Sequence, residues 1–257
     1  MDIWAVVMSH FPLNLRFALC CLLLLSAPLL APAAGLEDWS LEQVLDKVAD
    51  ANGGKDALES VTNVRIRGNI VGQDNTVEFL LLKKRPSMMR LRLSFKGRAV
   101  EVGFNGFTGW RRHSEGDSQK VVSITGDDLD ELELEADFDG PLVGPAGENV
   151  TRTLYDIERI DRVDYFIIEV TKPNIVSHHY VDSRTFREMK LIQKRTLSSG
   201  EVSETTTYYH DYARFGSIWI AMRSERHLPG GQTETVTVEK VDVNPGLLDR
   251  AFDMPES

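Results

Sequence analysis

The chain has 257 residues and a formal net charge of −10, from 29 basic and 39 acidic side chains. This length suffices for one domain, or at most two, with a conventional hydrophobic core, and the acidic balance excludes nucleic acid as a partner. The two cysteines of the chain are Cys20 and Cys21, so the part that follows them can hold neither a disulfide nor a thiolate metal site.

An uncharged N-terminal segment comes first. Residues 17–34 follow a single arginine, carry no charge and end in small residues. The pattern predicts an export signal over residues 1–34, cleaved after Ala33 or Ala34. A single membrane anchor would have a similar length, but the prolines in the segment and its weak flanking charge favour cleavage. We therefore expect an exported protein with one domain over residues 35–257.

The next element is an amphipathic helix. Apolar residues recur at helical spacing between Trp39 and Ala51, which predicts a helix with one buried stripe. Ser40 and Gln43 have the spacing of a capping box, and the Asn-Gly-Gly run that follows is typical of a helix end. A second, short helix is expected over Lys55–Ser60.

Strands dominate the rest of the chain. Runs with alternating apolar and polar residues are joined by short polar turns, which predicts hairpins and an antiparallel meander rather than a parallel α/β sheet. The candidate strands are Val64–Val71, Thr76–Lys83, Met88–Phe95, Arg98–Phe104, Gly109–His113, Gln119–Ile124, Val150–Ile160, Asp164–Thr171, Ser177–Asp182, Arg187–Thr196, Val202–Tyr209, Ile218–Leu228 and Thr233–Val243.

An acidic segment over 126–147 interrupts the strands. Its first part places apolar residues at helical spacing among eight carboxylates, while the tail from Gly140 to Gly147 is predicted to be a loop. We interpret the acids as a solvated helix face, because the Asp137–Gly140 run is too short for a calcium loop. The apolar face of this helix must cover another part of the fold. Its apolar residues are Leu129, Leu132, Leu134, Ala136 and Phe138.

Motifs for catalysis are not found. The sequence contains neither a nucleophile elbow nor a His-Glu-x-x-His metal motif, and a carboxylate pair across a cleft cannot be identified from sequence. Neighbouring His178 and His179 fall in a strand, so they point to opposite faces and cannot share one metal. All the histidines after the signal are predicted to lie on the surface or at an edge. No enzyme class, metal or cofactor is predicted.

Every second residue of a strand lies on the same face of the sheet, and these alternate residues predict one continuous apolar face. The short helices are the remaining elements that can cover it, and a curved sheet of about eleven strands offers more area than they can fill. The pattern alone leaves two alternatives evenly open, a packed core and a cavity for an apolar ligand. The face comprises Val77, Phe79, Leu81, Met89, Leu91, Leu93, Phe95, Val100, Val102, Phe104 and Trp110.

Several short motifs follow one another between Leu41 and Pro255. They are Ala51-Asn52-Gly53-Gly54, the Lys84–Arg90 run, Phe104-Asn105-Gly106 with Trp110, the Ala136–Leu142 run, Tyr180-Val181-Asp182, and the Val241–Gly246 run with Phe252. In the order and spacing of these motifs, the chain resembles the LolA-like superfamily of bacterial periplasmic lipoprotein carriers, and especially the outer-membrane lipoprotein-sorting proteins within it.

This resemblance implies an α+β fold in which a curved antiparallel β-sheet forms an incomplete β-barrel and helices cover its concave face. The Arg85-Pro86 turn is expected to shape its hairpin rather than to contact ligand. A register slip of one residue would exchange the two faces. The acyl-contacting side chains would be Phe79, Leu81, Met89, Leu91, Leu93, Phe95, Val102, Phe104 and Trp110, with Leu129, Leu132 and Phe138 as contacts from the covering segment.

Three functional hypotheses follow. The resemblance implies a non-enzymatic carrier that shields acyl chains of lipoproteins or lipids on their way to the outer membrane, with a membrane export complex or an outer-membrane acceptor as partner. The alternative is a lipid-sensing regulatory protein of the same fold. A third hypothesis is an enzyme that uses a carboxylate pair not recognisable in the sequence. The chain departs from dedicated carriers in its acidity and in its acidic insertion over Asp127–Asp139.

Overall fold

A computed structural model describes residues 38–73, 75–116, 118–144 and 149–256. The predicted export signal, residues 1–34, lies outside the described residues. Within these ranges, no helix combines the length and the apolar character needed to span a bilayer.

A single sheet of thirteen antiparallel strands forms the framework. All thirteen candidate strands are present and all join this sheet, which is therefore larger than the sheet of about eleven strands that was expected. The order is β6-β5-β4-β3-β2-β1-β13-β12-β11-β10-β9-β8-β7, so the sheet is open, with β6 and β7 as its edges. The strands are β1 Asn63–Val71, β2 Thr76–Lys84, β3 Met88–Phe95, β4 Arg98–Phe104, β5 Gly109–Glu115, β6 Ser118–Ile124, β7 Thr151–Ile160, β8 Val163–Lys172, β9 Ile175–Asp182, β10 Glu188–Thr196, β11 Val202–Phe215, β12 Ile218–His227 and β13 Thr233–Val243.

In the described residues, four α-helices accompany the sheet: α1 Leu41–Ala51, α2 Lys55–Ser60, α3 Asp127–Ala136 and α4 Gly140–Val143. The predicted capping box of α1 is confirmed, with both reciprocal hydrogen bonds present between Ser40 and Gln43. The loop expected over 140–147 was partly wrong. Its first four residues form α4, whose proline stands in the first turn, where its missing N–H costs nothing.

Strand register separates the two faces of the sheet. Residues directly opposite each other on neighbouring strands share a face, so the pairs Met89–Phe104 and Leu91–Val102 place their side chains together. We call this side the helix-bearing face, because α1 and α3 both pack on it. The opposite side, which carries Arg92 opposite Glu101, is called the back face.

The helices cover separate parts of the helix-bearing face. The α1 residues Val44 and Val48 are buried against β8 and β9, and α3 packs with Leu132 on β3, β4 and β6. A third cluster joins Val61, which follows α2, to β1 and β12. The strands between these clusters are not fully covered by α1 or α3, and they hold the candidate site.

Candidate lipid-binding face

The predicted acyl-contacting residues divide into a covered group and a half-buried group. Met89, Val102 and Phe104 are buried and pack against Leu132 of α3, as do the partly buried Leu81, Leu91 and Leu129. Gly109 allows this close approach, because a Cβ there would lie 2.9 Å from Leu129 Cδ1 and 3.0 Å from Leu132 Cδ2. The helix α3 therefore occupies part of the surface that was predicted to contact acyl chains.

Further members of the predicted set lie beside α3. Phe79 is buried against Gly68, where an added Cβ would lie 2.8 Å from its ring. Leu93 stands opposite Phe79 and Val100 and remains half-buried. Phe95 is separated from this group, since it stands at the end of β3 with the ammonium of Lys96 4.8 Å from its ring centroid.

The face predicted for Trp110 was wrong. Phe104 pairs with Gly109, so Trp110 pairs with Gly103 and points to the back face. There a Cβ on Gly103 would overlap its indole ring, and its Nε1 donates a 2.8 Å hydrogen bond to the backbone oxygen of Phe252. Both aromatic side chains are fully buried. Trp110 thus anchors the C-terminal segment and takes no part in the helix-bearing face.

Phe138 belongs to a different cluster from the two leucines of α3. It packs beside Val64 and Ile218, with the guanidinium of Arg85 4.7 Å from its ring centroid. Arg85 also donates to the backbone oxygens of Val61 and Leu58 at 2.6 and 2.7 Å and forms an ion pair with Asp139. The Arg85 side chain therefore joins the end of α2 to the segment after α3, which goes beyond the hairpin-shaping role expected for this turn.

A band of half-buried apolar side chains crosses the middle of the helix-bearing face. Register from β3 through β2, β1 and β13 to β12 places them all on one side, and each keeps part of its surface accessible. This central apolar band comprises Ile66, Ile70, Leu81, Leu91, Leu93, Ile220, Met222, Val236, Val238 and Val241. Sequence reasoning missed the members on β1, β12 and β13, although their alternation with polar residues was visible.

Several partly exposed carboxylates of α3 form ion pairs or hydrogen bonds with residues of the sheet and its turns. Asp128 pairs with Arg111 of β5 at 3.3 Å, and Glu131 pairs with Arg195 of β10 at 3.0 Å. Asp127 accepts a 2.6 Å hydrogen bond from the Ser198 hydroxyl, and this hydroxyl holds the pKa of Asp127 below its usual value. The predicted solvated face is therefore present only in part. Asp128 and Glu131 are 45% and 42% exposed, but both also pair with basic side chains of distant strands.

Two polar groups stand on the helix-bearing face near the band. Lys83 lies opposite Met89 and donates a 2.7 Å hydrogen bond to the backbone oxygen of Asp137. Burial lowers the pKa of Lys83 against the opposing effect of nearby carboxylates, Glu135 first among them. Tyr209 lies opposite Ser224, and burial raises the pKa of its hydroxyl well above the usual value.

One buried cluster has the order of a catalytic triad. Ser177 Oγ lies 3.0 Å from His179 Nε2, and His179 Nδ1 lies 2.7 Å from Glu188 Oε1. The surface position predicted for His179 was wrong, since it is 3% exposed. Ser177 pairs with Val170 on one side and Gln193 on the other, so its strand is central and its backbone groups serve the ladder. The three side chains satisfy one another in a buried polar network.

Neither a protein-family model nor a curated protein matches the chain. Solved structures do match. A LolA superfamily protein from Nitrosomonas europaea aligns with a TM-score of 0.56 at 14% identity, over 84% of this chain and 98% of that one. A putative outer-membrane lipoprotein-sorting protein domain from Vibrio parahaemolyticus aligns at 0.55 and 13% identity, over 83% and 95%.

A DUF1329 family protein from Desulfovibrio piger aligns with a TM-score of 0.57 at 12% identity, over 83% of this chain and 97% of that one. These alignments extend over nearly the whole of each solved chain and over more than four fifths of this one. The resemblance inferred from the sequence motifs is thereby confirmed as a likeness of fold: the chain has the architecture of LolA-superfamily and lipoprotein-sorting proteins.

Proposed function

We propose that this protein is a periplasmic carrier that binds acyl chains of lipids or lipoproteins on its helix-bearing face. The observation that carries the proposal is the central apolar band, ten half-buried apolar side chains on one face of five adjacent strands. A partly filled apolar concavity is the usual form of a site for apolar ligands. The fold shared with lipoprotein-sorting proteins supports this assignment.

Acyl burial on the band supplies enough free energy for a carrier. Each methylene removed from water contributes about 0.8 kcal/mol, so ten buried methylenes give roughly 8 kcal/mol, which corresponds to a dissociation constant near 1 μM. No reacting group is needed for such binding. The ligand can therefore be taken up and released unchanged, as transport requires.

The covering helix α3 gives the site a means of opening. We propose that the helix-bearing face is the concave side of the sheet and that α3 closes part of it. Leu129 and Leu132 then occupy positions over Met89 and Phe104 that an acyl chain takes when the helix moves aside. The ion pairs that hold α3 to β5 and β10 are partly exposed, so they can break and re-form at modest cost.

Transfer toward the outer membrane completes the proposed role. The export signal expected over residues 1–34 would deliver the protein to the periplasm, and a membrane export complex or an outer-membrane acceptor would exchange the cargo. The acidic chain would approach such a partner through a local surface rather than through its net charge.

The direct test is mass spectrometry of lipids that copurify with the protein. Leu80 and Leu81 are adjacent, chemically identical and both half-buried, but they point to opposite faces. We expect acyl species to copurify with the native protein and with Leu80→Asn, and to be strongly depleted from Leu81→Asn. Native protein without acyl species and without affinity for an acyl probe would contradict the proposal. Capture of a signalling membrane protein by the lipid-loaded form would instead favour a sensor over a carrier.

A further inference from the structure

A polar depression lies on the back face, at the end of the sheet where β2 to β6 meet. Its volume is about 590 Å³. Arg92, Arg98, Arg112 and Lys96 line it, together with hydroxyl groups and Glu78 as a carboxylate. Cations thus dominate one concave surface of a chain whose formal net charge is −10.

The arginines share too few carboxylate oxygens to satisfy their donors. Glu101 is 2% exposed, and its two oxygens accept from Arg90, Arg92 and Arg112 at 2.7 to 2.8 Å. Each guanidinium offers five N–H donors in a planar fork. Within the described part of the chain, the buried Nε of Arg112 has no hydrogen-bond partner.

The arginine side chains of this network are partly exposed, whereas the carboxylate that they share is buried, and this arrangement suits a ligand site. The side chain of Arg92 is 49% exposed, so it remains accessible, whereas the Glu101 carboxylate beneath is sealed. Arg98, at the rim, is 48% exposed and pairs with Glu115 instead. A buried carboxylate fixes the positions of arginines that stay positively charged at any physiological pH. Preorganised arginine forks of this kind match the oxygens of phosphate groups, often with two parallel hydrogen bonds.

We propose that this depression binds a phosphate-bearing ligand through Arg92 and Arg112 on its floor, with Lys96 and Arg98 at its rim, where the turn between β3 and β4 closes the sheet. Its volume exceeds that of inorganic phosphate and accommodates a phosphate ester with a small polar group attached. The site lies on the face opposite to the central apolar band, so it is independent of the proposed acyl site. The phosphate can belong to a lipid headgroup or to a soluble ester, and the chemistry of recognition is the same in both cases.

The test measures binding of inorganic phosphate and glycerol 3-phosphate by calorimetry at low ionic strength, and flotation with phosphatidylglycerol or phosphatidylcholine vesicles. The double variant Arg92→Gln/Arg98→Gln is compared with Arg223→Gln, which removes another ion-paired arginine that is 40% exposed. We expect the double variant to lose at least tenfold in affinity and the control to stay within twofold. Flotation with phosphatidylglycerol identifies the phosphate as a headgroup, whereas binding of glycerol 3-phosphate without flotation identifies a soluble ester.

Equal binding by the double variant and the control, or no binding of any of these probes, would overturn the proposal.

Discussion

The guanidinium of Arg195 on β10 forms a 3.0 Å ion pair with Glu131 on α3 and donates a second 3.0 Å hydrogen bond to the backbone oxygen of Asp127. α3 follows β6, at one edge of the sheet, whereas β10 stands beyond the central strands β1 and β13 in the sheet order. The helix therefore spans the helix-bearing face and links two distant parts of the sheet. Its attachment is polar at the rim and apolar beneath.

Substitution of Arg195 should loosen α3. The Arg195 side chain is 12% exposed, so loss of its two charge-assisted hydrogen bonds in Arg195→Gln should reduce the free energy of unfolding by roughly 1–3 kcal/mol. We expect faster amide hydrogen exchange in α3, measured by mass spectrometry, while exchange in β8 and β9 stays unchanged. The same substitution at the more exposed Arg223 serves as control. Unaltered exchange in α3 would show that Arg195 does not hold the helix.

The arginine cluster around Glu101 should make stability sensitive to acid. Burial by itself would raise the pKa of Glu101, but hydrogen bonds from Arg112 and Arg90 outweigh it, and the pKa is lowered. A lowered pKa means that the carboxylate contributes stability above its unfolded pKa of about 4.3, and that this contribution is lost as the pH falls through the lower folded value.

Urea unfolding of the native chain and of Glu101→Gln between pH 7 and pH 3 measures this effect. The variant should be less stable by about 3 kcal/mol at pH 7, because it removes the buried counter-charge of the partly buried Arg90 and Arg112. The difference between the two proteins should shrink as the pH falls. A difference that stays constant with pH would mean that ionisation of Glu101 contributes nothing.

The back-face position of Trp110 separates stability from ligand binding. Trp110→Phe leaves the backbone oxygen of Phe252 without its indole donor, which should cost roughly 1–3 kcal/mol of stability. Affinity for a fluorescent fatty acid should stay within twofold of the native value, because the ring does not reach the central apolar band. A large loss of affinity in folded Trp110→Phe protein would instead show that Trp110 contacts the ligand, as the sequence predicted.

The strands were predictable because alternation and turn residues are local signals, and nearly every strand boundary in the sequence falls within a few residues of the structure. The face of Trp110 was not predictable in the same way. Alternation assigns faces only within one strand. Across the loop from Phe104 to Gly109, the face of the next strand follows from the cross-strand register, which the sequence does not show. A face inferred across a loop is therefore less secure than one inferred along a strand.

Contacts between segments that are distant in the sequence set a second limit on what the sequence alone can predict. Arg195 and Glu131 are 64 residues apart in sequence, and their pairing depends on how the sheet brings β10 toward α3. The acids of α3 consequently looked like a solvated face when considered alone. The contributions of β1, β12 and β13 to the apolar band likewise emerge only when register aligns their alternate residues with those of β2 and β3.

The most direct measurement is titration of a fluorescent fatty acid into the double variants Leu91→Asn/Leu93→Asn and Leu80→Asn/Leu82→Asn. The first pair lies in the central apolar band, and the second lies on the back face with similar half-burial. The expected result is at least a tenfold loss of affinity for the first variant and less than a twofold change for the second, with both proteins folded. Equal affinities in the two variants, or no binding of the fatty acid to the native protein, would contradict the account.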